Sequence, residues 1–189
     1  MTMHVQIGHT PDRGFDDPLG LMSDCHRRIE SFLAALQRVA ETPDGRLDDE
    51  RRRALSAALA YFRDAAPKHT ADEEESLIPR LRALGDERVR PLLAAAEHLE
   101  RDHALAEALH ARVERIGEVW LRKGSLPEEA LVAVRRDLAA LHGLYTAHIA
   151  LEDDRLFPGA RAALSEADLA AIGREMAQRR GIDAQGGSV

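Results

Sequence analysis

A phrase that occurs twice constrains the fold of this chain more than any other feature. Residues 69–79 read HTADEEESLIP, and residues 148–158 read HIALEDDRLFP. Both copies fit His-x-x-x-Glu, two acidic residues, one variable residue, Leu, an Ile or Phe, and Pro. Residues four apart lie on one face of a helix, so each copy predicts a patch of one imidazole and one carboxylate. Two such patches that face each other across a core suit a pair of metal ions better than ordinary packing.

The composition favours helices and argues against several classes of partner. Aromatic residues make up 4% of the 189 residues, which is few for a chain built from strands. The formal net charge of −7 argues against binding to nucleic acid or to an anionic membrane surface. No apolar run approaches the roughly 18 residues of a membrane span, and the N-terminal residues lack the apolar stretch of an export signal. Because Cys25 is the single cysteine, we expect a protein of the reducing cytoplasm.

The apolar periodicity predicts four long helices and a shorter one. The predicted helices cover residues 17–41, 48–78, 87–122, the stretch from after Ser125 to 157, and 165–180. The resulting organisation is a flexible N-terminal arm (1–16), a four-helix unit (17–160), and a short C-terminal helix with a tail (161–189).

Several residues predict how these helices begin, bend and end. Pro67 lies inside the second helix and should kink it one turn before His69. Lys123 and Gly124 should close the third helix, since a basic residue followed by glycine is typical of a helix C-terminus. Ser165 should cap the last helix.

The repeat extends well beyond the doubled phrase. The apolar stripes of the second and fourth helices superpose at the same offset of 79 residues. The matched pairs are Leu55 with Val134, Leu59 with Leu138, Phe62 with Leu141, and Ala66 with Tyr145. Two copies are too few for a solenoid. We therefore predict an all-α fold, an antiparallel up-down-up-down four-helix bundle with a pseudo-two-fold repeat.

Six inward-facing polar residues should lie at one level of this bundle. Besides the two motif pairs, the first helix carries His26 on its apolar stripe and the third carries His103. The six candidate metal ligands are His26, His69, Glu73, His103, His148 and Glu152. At 1.5 Å of rise per residue, all lie within roughly 8–25 Å of the same end of the bundle. Buried carboxylates without compensation are costly, and metal cations supply that compensation.

The order His, His-x-x-x-Glu, His, His-x-x-x-Glu on four helices resembles the hemerythrin-like (HHE cation-binding) family over residues 17–160. The resemblance implies a non-haem di-iron centre, with zinc or manganese as possible substitutes for iron. It further implies that the four histidines are terminal ligands and that Glu73 and Glu152 bridge the two ions. The partner it implies is a small ligand, namely O₂, nitric oxide or peroxide, in a sensing, detoxification or storage role.

The chain departs from the pattern of oxygen-carrying hemerythrins in two places. Their third helix supplies two histidines four residues apart, whereas Leu99 and Glu107 occupy the positions four away from His103. Their last motif has Asp five residues after His, whereas here Glu152 follows His148 by four. These departures argue against a reversible oxygen carrier. They favour, at least as strongly, a more open centre that reacts with O₂, nitric oxide or peroxide.

Two further residues are predicted as neighbours of the metal ligands. Tyr145 lies one turn before His148, where the first copy has Ala66. It either packs in the core or presents a hydroxyl that hydrogen-bonds a metal-bound ligand or acts as a redox-active phenol. Glu107, one turn after His103, is predicted to accept a hydrogen bond from an imidazole. The acidic residues after each motif are predicted to form a solvated face; these are Glu74, Glu75, Asp153 and Asp154.

Two other functions remain open at this point. The segment Glu100-x-x-His103 has the i, i+3 spacing of ferritin-like di-iron oxidases and peroxidases, although it occurs once rather than twice. A structural metal would hold the bundle together without chemistry, but structural zinc usually takes four ligands, often thiolates. The sequence leaves the oligomeric state open.

Overall fold

A computed structural model describes residues 13–182, and these residues are helical with short connections. The α-helices are α1 (Pro18–Ala40), α2 (Asp49–Asp64), α3 (Ala66–Ala71), α4 (Ile78–Ala83), α5 (Arg90–Lys123), α6 (Glu128–Leu151), α7 (Phe157–Ala163) and α8 (Glu166–Arg179). Two π-helical segments, Asp72–Leu77 and Glu152–Leu156, join α3 to α4 and α6 to α7. A 3₁₀ turn (Glu87–Val89) precedes α5. Most of the predicted N-terminal arm and C-terminal tail lies outside the described residues.

The predicted apolar stripes form the core of a helical bundle. Helix α1 packs against α2 and α6, and α5 packs against α6 and α2. Seven residues that share one face of α1 are all buried, namely Leu19, Met22, His26, Ile29, Leu33, Leu36 and Ala40. The all-helical fold is therefore confirmed.

Between residues 13 and 182 no helix is long and apolar enough to cross a membrane.

The core consists of two apolar clusters with the motif residues between them. One cluster contains Leu36, Leu59 and Leu138, and the other contains Leu77 and Leu156. In each long helical run the candidate ligands lie between residues of the first cluster and residues of the second. The six polar side chains therefore form a layer with apolar packing on both sides.

The two prolines that end the repeated phrases do not end their helices. We predicted ends near residues 78 and 157, and both positions are wrong, since the chain continues helically to Ala83 and Ala163. A proline ring clashes with the carbonyl four residues before it in an α-helix. The wider π turn avoids that clash, because the N–H of Ile78 donates to the carbonyl of Glu73, five residues back. Phe157 makes the same bond to Glu152.

Other helix boundaries agree with the sequence analysis. The second helix is interrupted at Ala65, two residues before Pro67, where we predicted a kink. Gly124 closes α5 in the left-handed conformation, with φ of 74°. Ser165 and Asp168 form a reciprocal capping box at the start of α8. The domain boundary predicted at residue 160 falls inside α7.

Helix α8 is fastened to the first π segment by a buried ion-pair cluster that the sequence analysis did not foresee. Asp72 is fully buried, and its carboxylate lies 2.6 Å from Arg179 and 2.6 Å from Arg180. Arg179 also donates to the hydroxyl of Ser76 at 2.8 Å. Because Asp72 directly precedes Glu73, this arginine clamp fixes the backbone that carries one of the candidate ligands.

Replacing Asp72 with Asn should destabilise the metal-free protein by about 2–4 kcal/mol, because two guanidinium groups lose their charged partner in a poorly solvated site. Chemical denaturation of D72N and wild type measures this difference. The matched control is Glu75→Gln, whose exposed carboxylate pairs with the same Arg179 at 3.3 Å. It should cost less than about 1 kcal/mol. Equal losses in the two variants would contradict the clamp.

Candidate metal centre

The structure brings all six candidate ligands together in one cluster. The Glu73 carboxylate lies between two imidazoles, with Oε1 at 3.0 Å from Nε2 of His69 and Oε2 at 3.2 Å from Nε2 of His103. Glu152 is placed in the same way, with Oε2 at 3.0 Å from Nε2 of His26 and Oε1 at 3.2 Å from Nε2 of His148. Each carboxylate therefore spans from one histidine pair to the other.

The six side chains form two overlapping groups that could each hold a metal ion. The first group is His26, His69, Glu73 and Glu152, and the second is Glu73, His103, His148 and Glu152. The ligand atoms within each group lie within 4.8 Å of one another. Both glutamates belong to both groups, so the arrangement matches two ions that share two carboxylates.

Most metal-facing atoms of this cluster lack a hydrogen-bond partner, although Nε2 of His103 and Nε2 of His148 lie 3.2 Å apart. Glu152 and His26 are fully buried, and Glu73 is 1% exposed. None of the four carboxylate oxygens has a hydrogen-bond partner among the described residues, and neither does Nε2 of His26. The neighbouring imidazole nitrogens are close but not aligned as donors. Because leaving such atoms unsatisfied costs several kcal/mol, the residues present fit divalent cations between them.

Burial and mutual repulsion shift the pKa values of the metal-free cluster in opposite directions. Burial and the nearby Glu152 raise the pKa of Glu73 well above its ordinary value. Burial acts the same way on Glu152, but His148 and His26 outweigh it and lower its pKa. Burial disfavours the charged form of His26, yet Asp153 and Glu152 raise its pKa to about 9. Without metal the cluster thus retains protons, which cations would displace.

Three of the four histidines have a carboxylate on their outer nitrogen. The Nδ1 atom of His26 lies 3.0 Å from Asp153, that of His103 lies 2.8 Å from Glu74, and that of His148 lies 3.4 Å from Asp102. Such contacts orient a metal-binding imidazole and raise its basicity. Glu74 and Asp153 therefore contact candidate ligands while their side chains stay 38% and 24% exposed, so the predicted solvated face also carries contacts to the centre. Glu75 and Asp154 are exposed as predicted.

Tyr145 and Glu107, which we predicted as neighbours of the metal ligands, both line a cavity beside the cluster and belong to neither ligand group. The hydroxyl of Tyr145 lies 2.9 Å from Nε2 of His110, close to the cluster. Glu107 is exposed on α5. Glu100 lines the same cavity, but its carboxylate pairs with Arg82 at 2.8 Å and belongs to neither ligand group.

A cavity of about 750 Å³ adjoins the cluster. It follows the seam between the α2–α3 run and α5, where small residues such as Ala66, Ala104 and Ala111 line its wall. All four candidate histidine ligands also line it. The cavity therefore gives a small molecule a path to the positions between the histidines.

A comparison with known protein families identifies the chain. The family described as "Hemerythrin HHE cation binding domain" matches residues 17–160. The chain belongs to this hemerythrin HHE family. An uncharacterized protein from Haemophilus influenzae is 28% identical over 180 residues, covering 89% of this chain and 92% of the relative. No solved structure matches the chain.

Because the pKa values of His26 and Glu73 are raised, the stability of this hemerythrin-like chain without metal should depend on pH. The ion pairs of His26 should stabilise the fold fully below pH 6.5 and be lost as pH rises through about 9. The raised pKa of Glu73 acts with the same sign. The free energy of unfolding should therefore fall between pH 6.5 and about 9, as urea titrations of chelator-treated protein would measure.

The variant His26→Gln should have a flatter pH dependence than the wild type over this range. The control His142→Gln replaces an exposed histidine on α6 outside the cluster, and its unfolding is measured over the same pH range. An equally steep loss of stability in H26Q would rule out His26 as its source.

Proposed function

We propose that this protein is a non-haem di-iron protein that binds or reacts with O₂, nitric oxide or peroxide. The observation that carries the proposal is the pair of buried glutamates, each shared by two histidine pairs and each with unpartnered oxygens. His26 and His69 would hold one ion, and His103 and His148 the other, with Glu73 and Glu152 bridging. The bundle would have the predicted up-down-up-down topology.

The donor set favours iron or manganese over a structural zinc ion. Imidazole and carboxylate donors suit these metals, whereas structural zinc is usually enclosed by four ligands, often thiolates. The candidate ligands also line a large cavity, which suits a centre that exchanges a ligand with solvent. When bound, the metal pair would supply the redox and Lewis-acid chemistry. The protein would hold the imidazoles in place and exclude water from the inner donors.

The ferritin-like alternative has less support from the geometry. It relied on Glu100 and His103 as an i, i+3 ligand pair, but Glu100 pairs with Arg82 instead. No second such pair occurs at the cluster, since its other carboxylates follow their histidines by four residues. The net charge of −7 argues against nucleic acid as a partner. The single cysteine supports the cytoplasm as the proposed location.

The direct test is metal analysis combined with optical spectroscopy of protein loaded with ferrous iron and then exposed to air. The proposal expects about two irons per chain and near-ultraviolet charge-transfer bands that azide or nitric oxide shifts. A single tightly bound zinc ion, or a spectrum insensitive to both ligands, would contradict it.

Replacing Asp153 with Asn should weaken iron binding by about 10–100-fold, since the carboxylate that orients His26 loses its charge. Competition with a chelator of known affinity measures the change. Asp154→Asn is the matched control, because Asp154 is the next residue and is exposed. If both variants bind iron equally well, Asp153 does not support the centre.

Replacing Ala104 with Trp should slow the binding of azide to the iron-loaded protein without lowering its iron content. Ala104 lines the cavity wall, so a large side chain there obstructs the path to the histidines. Stopped-flow absorbance measures the association rate. The control Ala108→Trp places the same side chain at an exposed position of α5 that does not line the cavity. Equal rates in A104W, A108W and the wild type would show that the ligand enters elsewhere.

A further inference from the structure

A tyrosine and a histidine form an isolated polar pair beside the candidate metal centre. The hydroxyl of Tyr145 lies 2.9 Å from Nε2 of His110. Phe62 stacks on the His110 ring, with ring centroids 4.2 Å apart. Neither His110 nor Tyr145 belongs to the groups that could hold a metal ion. Holding the metal ions therefore does not require this pair, which leaves both side chains available for another role.

Tyr145 also lies beside one of the candidate ligands. It lies one turn before His148 on α6, and its ring meets the His148 ring edge-on with centroids 6.4 Å apart. The equivalent position in the first half of the repeat is Ala66, which lies before His69. A phenol is thus found on one side of the pseudo-symmetric centre, beside a proposed ligand.

The surroundings of Tyr145 decide which form of the phenol can exist there. Burial raises the pKa of Tyr145, so the group stays protonated. Loss of an electron alone would leave a cationic phenol in a poorly solvated site, which is costly. Loss of the electron together with the proton yields a neutral radical and moves the positive charge to a base within hydrogen-bond reach; this path is favoured because the radical cation of a phenol is a far stronger acid than an imidazolium.

His110 supplies that base. Burial lowers the pKa of His110 to about 4, so the imidazole is neutral at physiological pH. A neutral imidazole has one nitrogen that accepts a hydrogen bond, and Nε2 faces the phenol. The proton would then move along an existing hydrogen bond, with no rearrangement of either ring.

We propose that Tyr145 donates one electron to the oxidised metal pair while its phenolic proton passes to Nε2 of His110. The proposal rests on the proposed function, because the oxidant is the metal pair after its reaction with peroxide or O₂. The O–H bond of Tyr145 breaks, the electron reduces the metal pair by one equivalent, and the proton converts His110 to imidazolium. Tyr145 becomes a neutral phenoxyl radical, so charge and atoms balance.

The test is electron paramagnetic resonance of iron-loaded protein frozen shortly after addition of hydrogen peroxide. The chain contains two tyrosines, Tyr61 and Tyr145, which makes the assignment direct. A phenoxyl signal is expected in the wild type and in the control Tyr61→Phe, and it should be absent from Tyr145→Phe. Protein grown with ring-deuterated tyrosine should give a narrower signal of the same origin.

The proton acceptor is tested separately with His110→Gln. The glutamine amide can still accept a hydrogen bond from the phenol but is not a base at this pH. Formation of the radical should slow by about 100-fold, the scale of a lost general base. Iron content and thermal unfolding of Y145F and H110Q, measured on the same samples, show whether either variant has lost its fold or its metal.

Each outcome has a distinct meaning. Two bound irons and a peroxide-dependent optical change without a phenoxyl signal in the wild type would overturn this proposal and leave the proposed function standing. A signal that persists in Y145F and disappears in Y61F would also overturn it. Failure of the wild type to bind an iron pair would overturn both proposals together, and metal analysis of the same sample identifies that case.

Discussion

Glu73 and Glu152 place two carboxylates in a part of the core that solvent does not reach, and neither has a hydrogen-bond partner there. Apolar packing cannot compensate for such groups, and the imidazoles around them are themselves desolvated. A family of cation-binding proteins resolves this conflict by placing ions between the donors. On this view the apolar clusters on either side of the layer provide the folding free energy, and the layer itself is retained for binding rather than for stability of the metal-free chain.

Several separate features keep these carboxylates in position. Both glutamates lie in π-helical segments, which accommodate the prolines at 79 and 158 within a continuous helical run. The first segment is additionally clamped through its own Asp72, which pairs with Arg179 and Arg180 at the C-terminal end of α8. The second carries Asp153, which holds His26 through its outer nitrogen. The two halves of the repeat therefore place the candidate ligands similarly by different contacts, and Tyr145 extends this asymmetry to the space beside the candidate metal centre.

The sequence was sufficient for the parts of the structure that follow from periodicity. The stripe that contains His26 and the doubled motif predicted the helices and their buried faces, because both depend on spacing along one helix. The meeting of the six candidate ligands followed from their similar distance to one end of an antiparallel bundle. The π segments were missed, because the prediction ended both helices at residues 78 and 157, directly before the two prolines. The arginine clamp and the role of Asp153 depend on contacts between distant elements. One signal was available for the clamp, because Asp72 occupies the position where the second copy has Leu151, and a charge at an apolar position needs a partner.

The central claim is that two ions occupy one layer of the bundle and share both glutamates. Anomalous diffraction from crystals of the iron-loaded protein, recorded at the iron absorption edge, tests this most directly. The account expects two peaks, one beside His26 and His69 and the other beside His103 and His148, with Glu73 and Glu152 contacting both. A single peak, or peaks outside this layer, would contradict it.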